Sequence, residues 1–292
     1  MKVNPIRTYS IQTKFNNKNI SFNKNMNELI YPFGYDLIKY STLTDTVSLK
    51  GIEGVIQKYS PKTKVDLIEN YQERDTRKPL ALLNSLYEFS VDNDGETYVY
   101  PSSKTVYIGL NNAKNESLGA FLAQVIHEAT HLFQQEADDR TNYEHLYENY
   151  LNNILDKQAL KNTIDIIDEI FMNLETYMSA GYTMCDKKGL KTDDEINQGF
   201  VEQFGFGVDE AIQYIILSTI SDNGDKKVNF NFIFDYCIMR SENEIEAYQN
   251  MLDFRPKLLI NKEFEAQIKT MLKMYNKIRS ELAEMRKKYS SD

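Results

Sequence analysis

One stretch carries the strongest signal in this chain: Val125-Ile126-His127-Glu128-Ala129-Thr130-His131-Leu132-Phe133-Gln134. It belongs to a segment in which apolar residues recur at helical spacing, which predicts a helix. Histidines at positions i and i+4 of a helix project from one face, close enough to bind one zinc ion. Glu128 is turned from the first histidine by about 100° and can lie beside the open coordination position of such an ion. The sequence therefore predicts zinc ligands at His127 and His131, with Glu128 as general base.

The His-Glu-x-x-His pattern rarely arises by chance in a chain of this composition. The chain has 3 histidines, and two of them lie in the motif. With this composition, random order would produce the pattern roughly once in several hundred chains of this length. The alternative is that the two histidines are hydrogen-bonded in a core without a metal.

The composition, with 41% hydrophobic and 26% charged residues, is that of a globular protein. The net charge of −9 argues against a nucleic-acid partner, because phosphate binding needs a positive surface. Cys185 and Cys237 form no Cys-x-x-Cys pair, so neither a disulfide framework nor a thiolate zinc site is expected. We find no signal peptide and no apolar run of about 18 residues, so we expect no membrane contact and a soluble, cytoplasmic or virion-associated protein. The frequent Asn, Lys, Ile and Tyr suggest an AT-rich bacterial or phage genome.

The part of the chain before the motif is predicted to be rich in β-structure. Residues 1–60 contain short alternating runs beside glycines, which indicates strands and turns with little helix. Residues 80–87 are predicted to form a short helix after Pro79. The β-rich runs 97–100 and 105–110 are separated by a Pro/Ser turn, which predicts a hairpin. We therefore expect an α+β fold, mostly helical, with a small sheet beside the motif helix.

The part after the motif is predicted to be helical, with patterns over about 143–160, 164–181 and 208–220, a polar loop at 185–198, and a helix capped at 241–244. A narrow seam in steps of four and three then predicts a long C-terminal helix. This helix either lies across its own domain or docks on a partner or a second copy through residues 264–289. The predicted organisation is one domain over residues 1–255 and a C-terminal amphipathic helix over 256–292. The seam comprises Phe264, Ile268, Met271, Tyr275, Ile278, Leu282, Met285 and Tyr289.

The stretch from Val125 to Gln134 resembles the active-site helix of the zincin metallopeptidases. The resemblance covers about fifteen residues and implies a zincin-like domain over 1–255, with His127 and His131 as zinc ligands and Glu128 as general base. It also implies that the strand before the helix pairs with an extended peptide substrate. Residues 105–110 are the candidate for that strand.

A catalytic zinc site needs a third protein ligand and leaves the fourth position to water. No Gly-x-x-His follows His131 at the spacing of the metzincin branch, and the aspzincin pattern is not evident. The gluzincins take a glutamate from a later helix, and Glu244-Ile245-Glu246-Ala247-Tyr248 resembles their pattern, with Tyr248 where Asp is commoner. This resemblance favours Glu244 as the third ligand. Glu246, the nearby Glu242, and Glu175 on an amphipathic helix are the alternatives.

Possible donors to an oxyanion are the tyrosines next to the candidate ligands, Tyr248 and Tyr177. His145 begins the next predicted helix and is either a donor, a further ligand or a surface residue.

These observations predict a zinc-dependent metallopeptidase that hydrolyses a peptide or protein substrate through a zinc-activated water. The alternative is a structural or interaction protein, such as a phage or assembly component, on a zincin-like domain whose metal is structural or lost. The C-terminal seam and the polar N-terminal segment favour that alternative. A toxin-like protease acting inside a target cell fits the motif equally well.

Overall fold

The computed structural model describes residues 26–43, 49–61, 64–68, 89–91, 97–99, 105–109, 118–138, 157–223, 230–258 and 260–289. The helices within these ranges are α1 (Met26–Leu43), α2 (Leu49–Tyr59), α3 (Leu118–Asp138), α4 (Lys157–Lys187), α5 (Asp193–Phe204), α6 (Val208–Asp222), α7 (Phe230–Leu258) and α8 (Lys262–Tyr289). The strands are β1 (Lys64–Ile68), β2 (Phe89–Val91), β3 (Thr97–Val99) and β4 (Thr105–Gly109). The predicted helix at 80–87 and His145 lie outside the described residues.

The fold class is all-α, so the expected α+β fold with a small sheet beside the motif helix was wrong. Within the described ranges the strands form two separate two-stranded ladders. Two strands alone bury too little apolar surface to build a core layer. The apolar side chains described as buried all lie on helices, so helix-on-helix packing forms the core.

The predicted hairpin was wrong in its pairing. β3 pairs antiparallel with β2, and β4 pairs parallel with β1, far earlier in the chain. A parallel pair needs a crossover connection rather than a tight turn, so the turn residues between the two runs could not reveal the partner.

The prediction of strands in the N-terminal segment was also wrong for its described residues, because α1 and α2 are helices. Residues 1–25 and 44–48 of that segment lie outside the described residues. Helix α1 buries Ile30, Phe33 and Leu37 at steps of three and four, and α2 buries Ile52 and Ile56. This helical period extends over more residues than the short alternating runs that favoured strands.

Two hydrophobic cores share helices α7 and α8. The motif core joins α1, α2 and α3 to the C-terminal part of α7 and to Ile268 of α8. The distal core joins α4, α5 and α6 to the N-terminal part of α7 and to residues 274–285 of α8. Tyr248 of α7 packs against both cores, so this part of α7 lies between them.

The long C-terminal helix is confirmed as α8, and the helix predicted at 208–220 is confirmed as α6. The seam of α8 faces its own chain, with Tyr275, Ile278 and Leu282 buried in the distal core. The predicted division at residue 255 falls inside α7, which continues through Pro256 to Leu258.

Two helix ends were predicted wrongly. Helix α4 continues past Gly181 to Lys187. A Cβ at Gly181 would lie 2.2 Å from the ring of Phe200, so the glycine makes room for that ring and does not end the helix. Helix α7 already begins at Phe230. Ser241 is buried inside it and donates from Oγ to the Cys237 carbonyl oxygen instead of capping a new helix.

The polar loop predicted at 185–198 is shorter than expected. Helix α5 begins at Asp193, where the Thr192 side chain accepts from the Glu195 backbone N–H in a capping box. None of the helices in the described ranges has an apolar stretch long enough to cross a membrane.

Gly119 sets how closely α3 approaches the end of α7. A Cβ there would lie 2.0 Å from the carbonyl oxygen of Leu258, a backbone atom that cannot rotate away. We expect Gly119→Ala to lower the free energy of unfolding by about 1–3 kcal/mol, as overpacking does.

The matched control is Gly54→Ala at an exposed position of α2, where a Cβ meets no atom within 4 Å. There the gain in helix propensity should stabilise the protein by about 0.5–1 kcal/mol. Urea denaturation of both variants measures the two effects. Equal stabilities would contradict the close approach at Gly119.

Candidate metal centre

Helix α3 holds the two histidines one turn apart, beside the motif core. Its buried face carries Val125, Ile126 and Ala129, and this face fixes the rotation of the helix. His127 and His131 consequently point to the same side, with their Nε2 atoms 3.2 Å apart. The ring centroids lie 4.9 Å apart, and the rings are nearly perpendicular.

Helix α7 brings a carboxylate to this pair. Glu244 Oε2 lies 3.4 Å from His127 Nε2, and Glu244 Oε1 lies 3.3 Å from His131 Nε2. All three side chains are largely buried: His127 is 11% exposed, His131 is 16% exposed and Glu244 is 21% exposed. The structure therefore brings Glu244 to two histidines that lie more than a hundred residues earlier in the chain.

These three groups fit a zinc ion in type and in spacing. Ligand atoms of a tetrahedral zinc site, with bonds of about 2.0–2.1 Å, lie about 3.3 Å apart. The observed separations of 3.2, 3.3 and 3.4 Å match that edge length, although each histidine faces a different oxygen of Glu244. Among the described residues, this is the group of His, Cys, Asp and Glu side chains that converges closely enough to hold a metal.

The electrostatics make the cluster an ion pair. Burial lowers the pKa of His127, and Glu244 opposes this only in part. Burial also acts to lower the pKa of His131, but the charge and hydrogen bond of Glu244, with the charge of Glu128, raise it to about 9. Burial acts to raise the pKa of Glu244, but charged His131 and hydrogen bonds from both histidines hold it well below its usual range. At neutral pH, His131 is thus the cation, Glu244 the anion and His127 neutral.

Glu128 and Tyr248 lie on the periphery of the cluster. Glu128 is half-buried, and its charge is close enough to raise the pKa values of His131 and Tyr248. The Tyr248 ring contacts the His127 ring at a centroid distance of 4.5 Å. Burial, together with the charges of Glu244, Glu175 and Glu128, raises the pKa of Tyr248 well above 10, so its phenol keeps its proton at neutral pH and can donate a hydrogen bond.

The other candidate ligands lie elsewhere. The Glu246 carboxylate accepts from Gln134 Nε2 at 3.0 Å, and Glu175 accepts from the Tyr275 hydroxyl at 3.1 Å. Glu242 pairs with Arg279. Tyr177, a candidate oxyanion donor, is 59% exposed.

Sequence reasoning missed Gln134. Its side chain is fully buried, and its Oε1 lies 3.0 Å from His131 Nδ1. The signal was present, because a polar residue three positions after His131 falls on the same helix face as that histidine. His127 Nδ1, in contrast, is buried with no hydrogen-bond partner among the described residues.

No protein-family model, curated protein or solved structure matches this chain.

The geometry discriminates between the candidate third ligands. We expect Glu244→Ala to weaken zinc binding by more than about 100-fold, beyond the loss typical of outer-shell changes. Glu175→Ala, the matched control on α4, should change zinc affinity by less than about threefold, because Glu175 lies outside the converging group. Competition against a chromophoric chelator measures both affinities. If Glu175→Ala loses more zinc affinity than Glu244→Ala, Glu175 and not Glu244 is the third ligand.

Zinc binding should depend on pH through His131. Its pKa is raised to about 9, so the ring holds a proton at pH 7 that must leave before Nε2 can coordinate. His127 and Glu244, whose pKa values are lowered, have already lost theirs. The apparent zinc affinity should therefore rise about tenfold per pH unit between pH 7 and about 9, with release of about one proton per ion. Calorimetry in buffers of different ionisation enthalpy measures the proton count, and a count of zero would contradict the ion pair.

Proposed function

We propose that this protein is a zinc-dependent metallopeptidase. The observation that supports the proposal is the convergence of Glu244, from α7, on the His-Glu-x-x-His pair of α3. Two histidines and one carboxylate are a ligand set of catalytic zinc sites, in which three protein ligands leave one position open. A structural zinc site would use four ligands, and the described residues supply three.

Each residue then has one role. His127, His131 and Glu244 hold the ion. When bound, zinc supplies Lewis-acid chemistry that polarises a carbonyl and lowers the pKa of a coordinated water to about 7. Glu128 accepts the proton of the attacking water and passes it to the leaving amine nitrogen as the peptide C–N bond breaks.

Tyr248 is the proposed donor to the oxyanion. Its ring lies against His127, and its raised pKa keeps the phenolic proton in place. A donor positioned beforehand stabilises the negative charge that develops on the carbonyl oxygen. The substrate is a peptide or protein segment, and cytoplasm or a virion is the proposed location.

A second candidate function, an interaction protein of a larger assembly, is favoured by one surface. Phe204 at the end of α5, Phe206 in the connection to α6, and Tyr214 of α6 follow one another at centroid distances of 6.4 and 6.0 Å. Phe204 is 39% and Tyr214 is 65% exposed. Exposed aromatic groups of this kind are typical of contact surfaces, and zinc would then have a structural role.

Glu128→Gln tests the proposed peptidase. The amide cannot accept the proton, so we expect peptide cleavage to fall by about 10²–10⁴-fold. Zinc content should stay at about one ion per chain, because Glu128 is not a ligand. Mass spectrometry of a proteome-derived peptide library measures cleavage, and plasma emission spectroscopy measures zinc.

Glu202→Gln, at an exposed position of α5, is the control and should cleave like the wild type. Cleavage retained by Glu128→Gln would remove Glu128 from the mechanism. A wild-type protein that binds zinc but cleaves no peptide in the library would favour the interaction protein.

A further inference from the structure

We propose that Gln134 is a positioning residue that fixes both the tautomer of His131 and the register of α7 against α3. The proposal rests on the proposed zinc site, and it assigns a role to a side chain outside the motif. Gln134 lies one helical turn beyond His131 and is 0% exposed, so its amide has no access to solvent. Its hydrogen bonds must therefore come from the protein.

The orientation of the Gln134 amide follows from its partners. Nε2 donates to the Asn243 carbonyl oxygen at 3.1 Å and to Glu246 Oε2 at 3.0 Å. Both partners are oxygens that accept hydrogen bonds, so the amide nitrogen must face them. The amide oxygen is left facing His131 Nδ1.

This orientation decides which nitrogen of His131 is free for a metal. An amide oxygen only accepts, so Nδ1 must carry the hydrogen. Neutral His131 then presents the lone pair of Nε2, the atom that faces His127 and Glu244. Outer-shell partners of this kind orient a ligand histidine and raise its basicity.

The same side chain also positions Glu244. Asn243, whose carbonyl accepts from Gln134, is the residue directly before Glu244, and Glu246 is two residues after it. Gln134 therefore holds the turn of α7 that carries the third ligand.

The test compares two buried polar links between the same helices. Gln134→Met removes the amide at similar volume. Asn250→Leu removes the other link, in which Asn250 Nδ2 donates to Thr130 Oγ1 at 3.2 Å without touching a ligand. We expect Gln134→Met to weaken zinc binding by about 10–100-fold and to change the visible spectrum of the cobalt-substituted protein. Asn250→Leu should keep the wild-type spectrum and bind zinc within about threefold of it.

Urea denaturation shows whether both variants are folded. If the two variants lose affinity equally and keep the wild-type cobalt spectrum, Gln134 only holds the helices together and the proposal is wrong. If the wild type itself binds no zinc, the proposed function fails, and the inference fails with it. Zinc binding and cleavage by the wild type, with unchanged binding in folded Gln134→Met, would overturn the inference alone.

A measurement on the wild type needs no variant. In the zinc-bound protein, the ¹⁵N chemical shifts of His131 should identify a protonated Nδ1 and a coordinating Nε2. Coordination through Nδ1 would overturn the proposal even if Gln134→Met failed to fold.

Discussion

The contact between α3 and α7 is the interaction on which the site depends. At one end of this contact Gly119 lies against the Leu258 carbonyl, so a residue without a side chain lets the helices approach closely there. The contact also contains polar links, from Gln134 to the turn of Glu244 and from Asn250 to Thr130. A shift of either helix would leave these buried groups without partners, which costs about 1–3 kcal/mol for each group. The polar links therefore fix one register, and in that register Glu244 meets both histidines.

The cluster itself is unfavourable to bury unless its charges are paired. Taking a carboxylate and an imidazolium out of water costs several kcal/mol for each ion, and their attraction repays this only with good geometry. Glu244 meets that condition by facing one histidine with each oxygen. The apolar side chains on both sides of α7 supply the stability that this arrangement does not. The polar cluster is therefore held in place by apolar packing around it.

The sequence was informative where one helix carries the whole signal. His127, Glu128 and His131 share a single helix, so their relative placement follows from helical geometry alone. The same reasoning gave α6 and α8, whose apolar positions repeat over several turns. It failed for α1 and α2, where short alternating runs were given more weight than a helical period. It also failed for the pairing of β4, although not for the strand itself, because the partner β1 is distant in sequence. Gln134 was overlooked because its importance comes from a helix that lies a hundred residues further along the chain.

The sequence by itself determined that two histidines and a glutamate lie on one helix at the spacing of a zinc site. It also reduced the candidates for a third zinc ligand to a few glutamates, because a carboxylate from a later helix is the group that completes the zinc site in the proteins that the motif resembles. Only the tertiary structure showed that Glu244, rather than Glu246 or Glu175, lies against both histidines, and that the core of the described residues is built from helices. The physical reason is that each choice depends on the rotation and register of α7 against α3. Those are set by side chains on both helices packing together, which no local pattern on either helix contains.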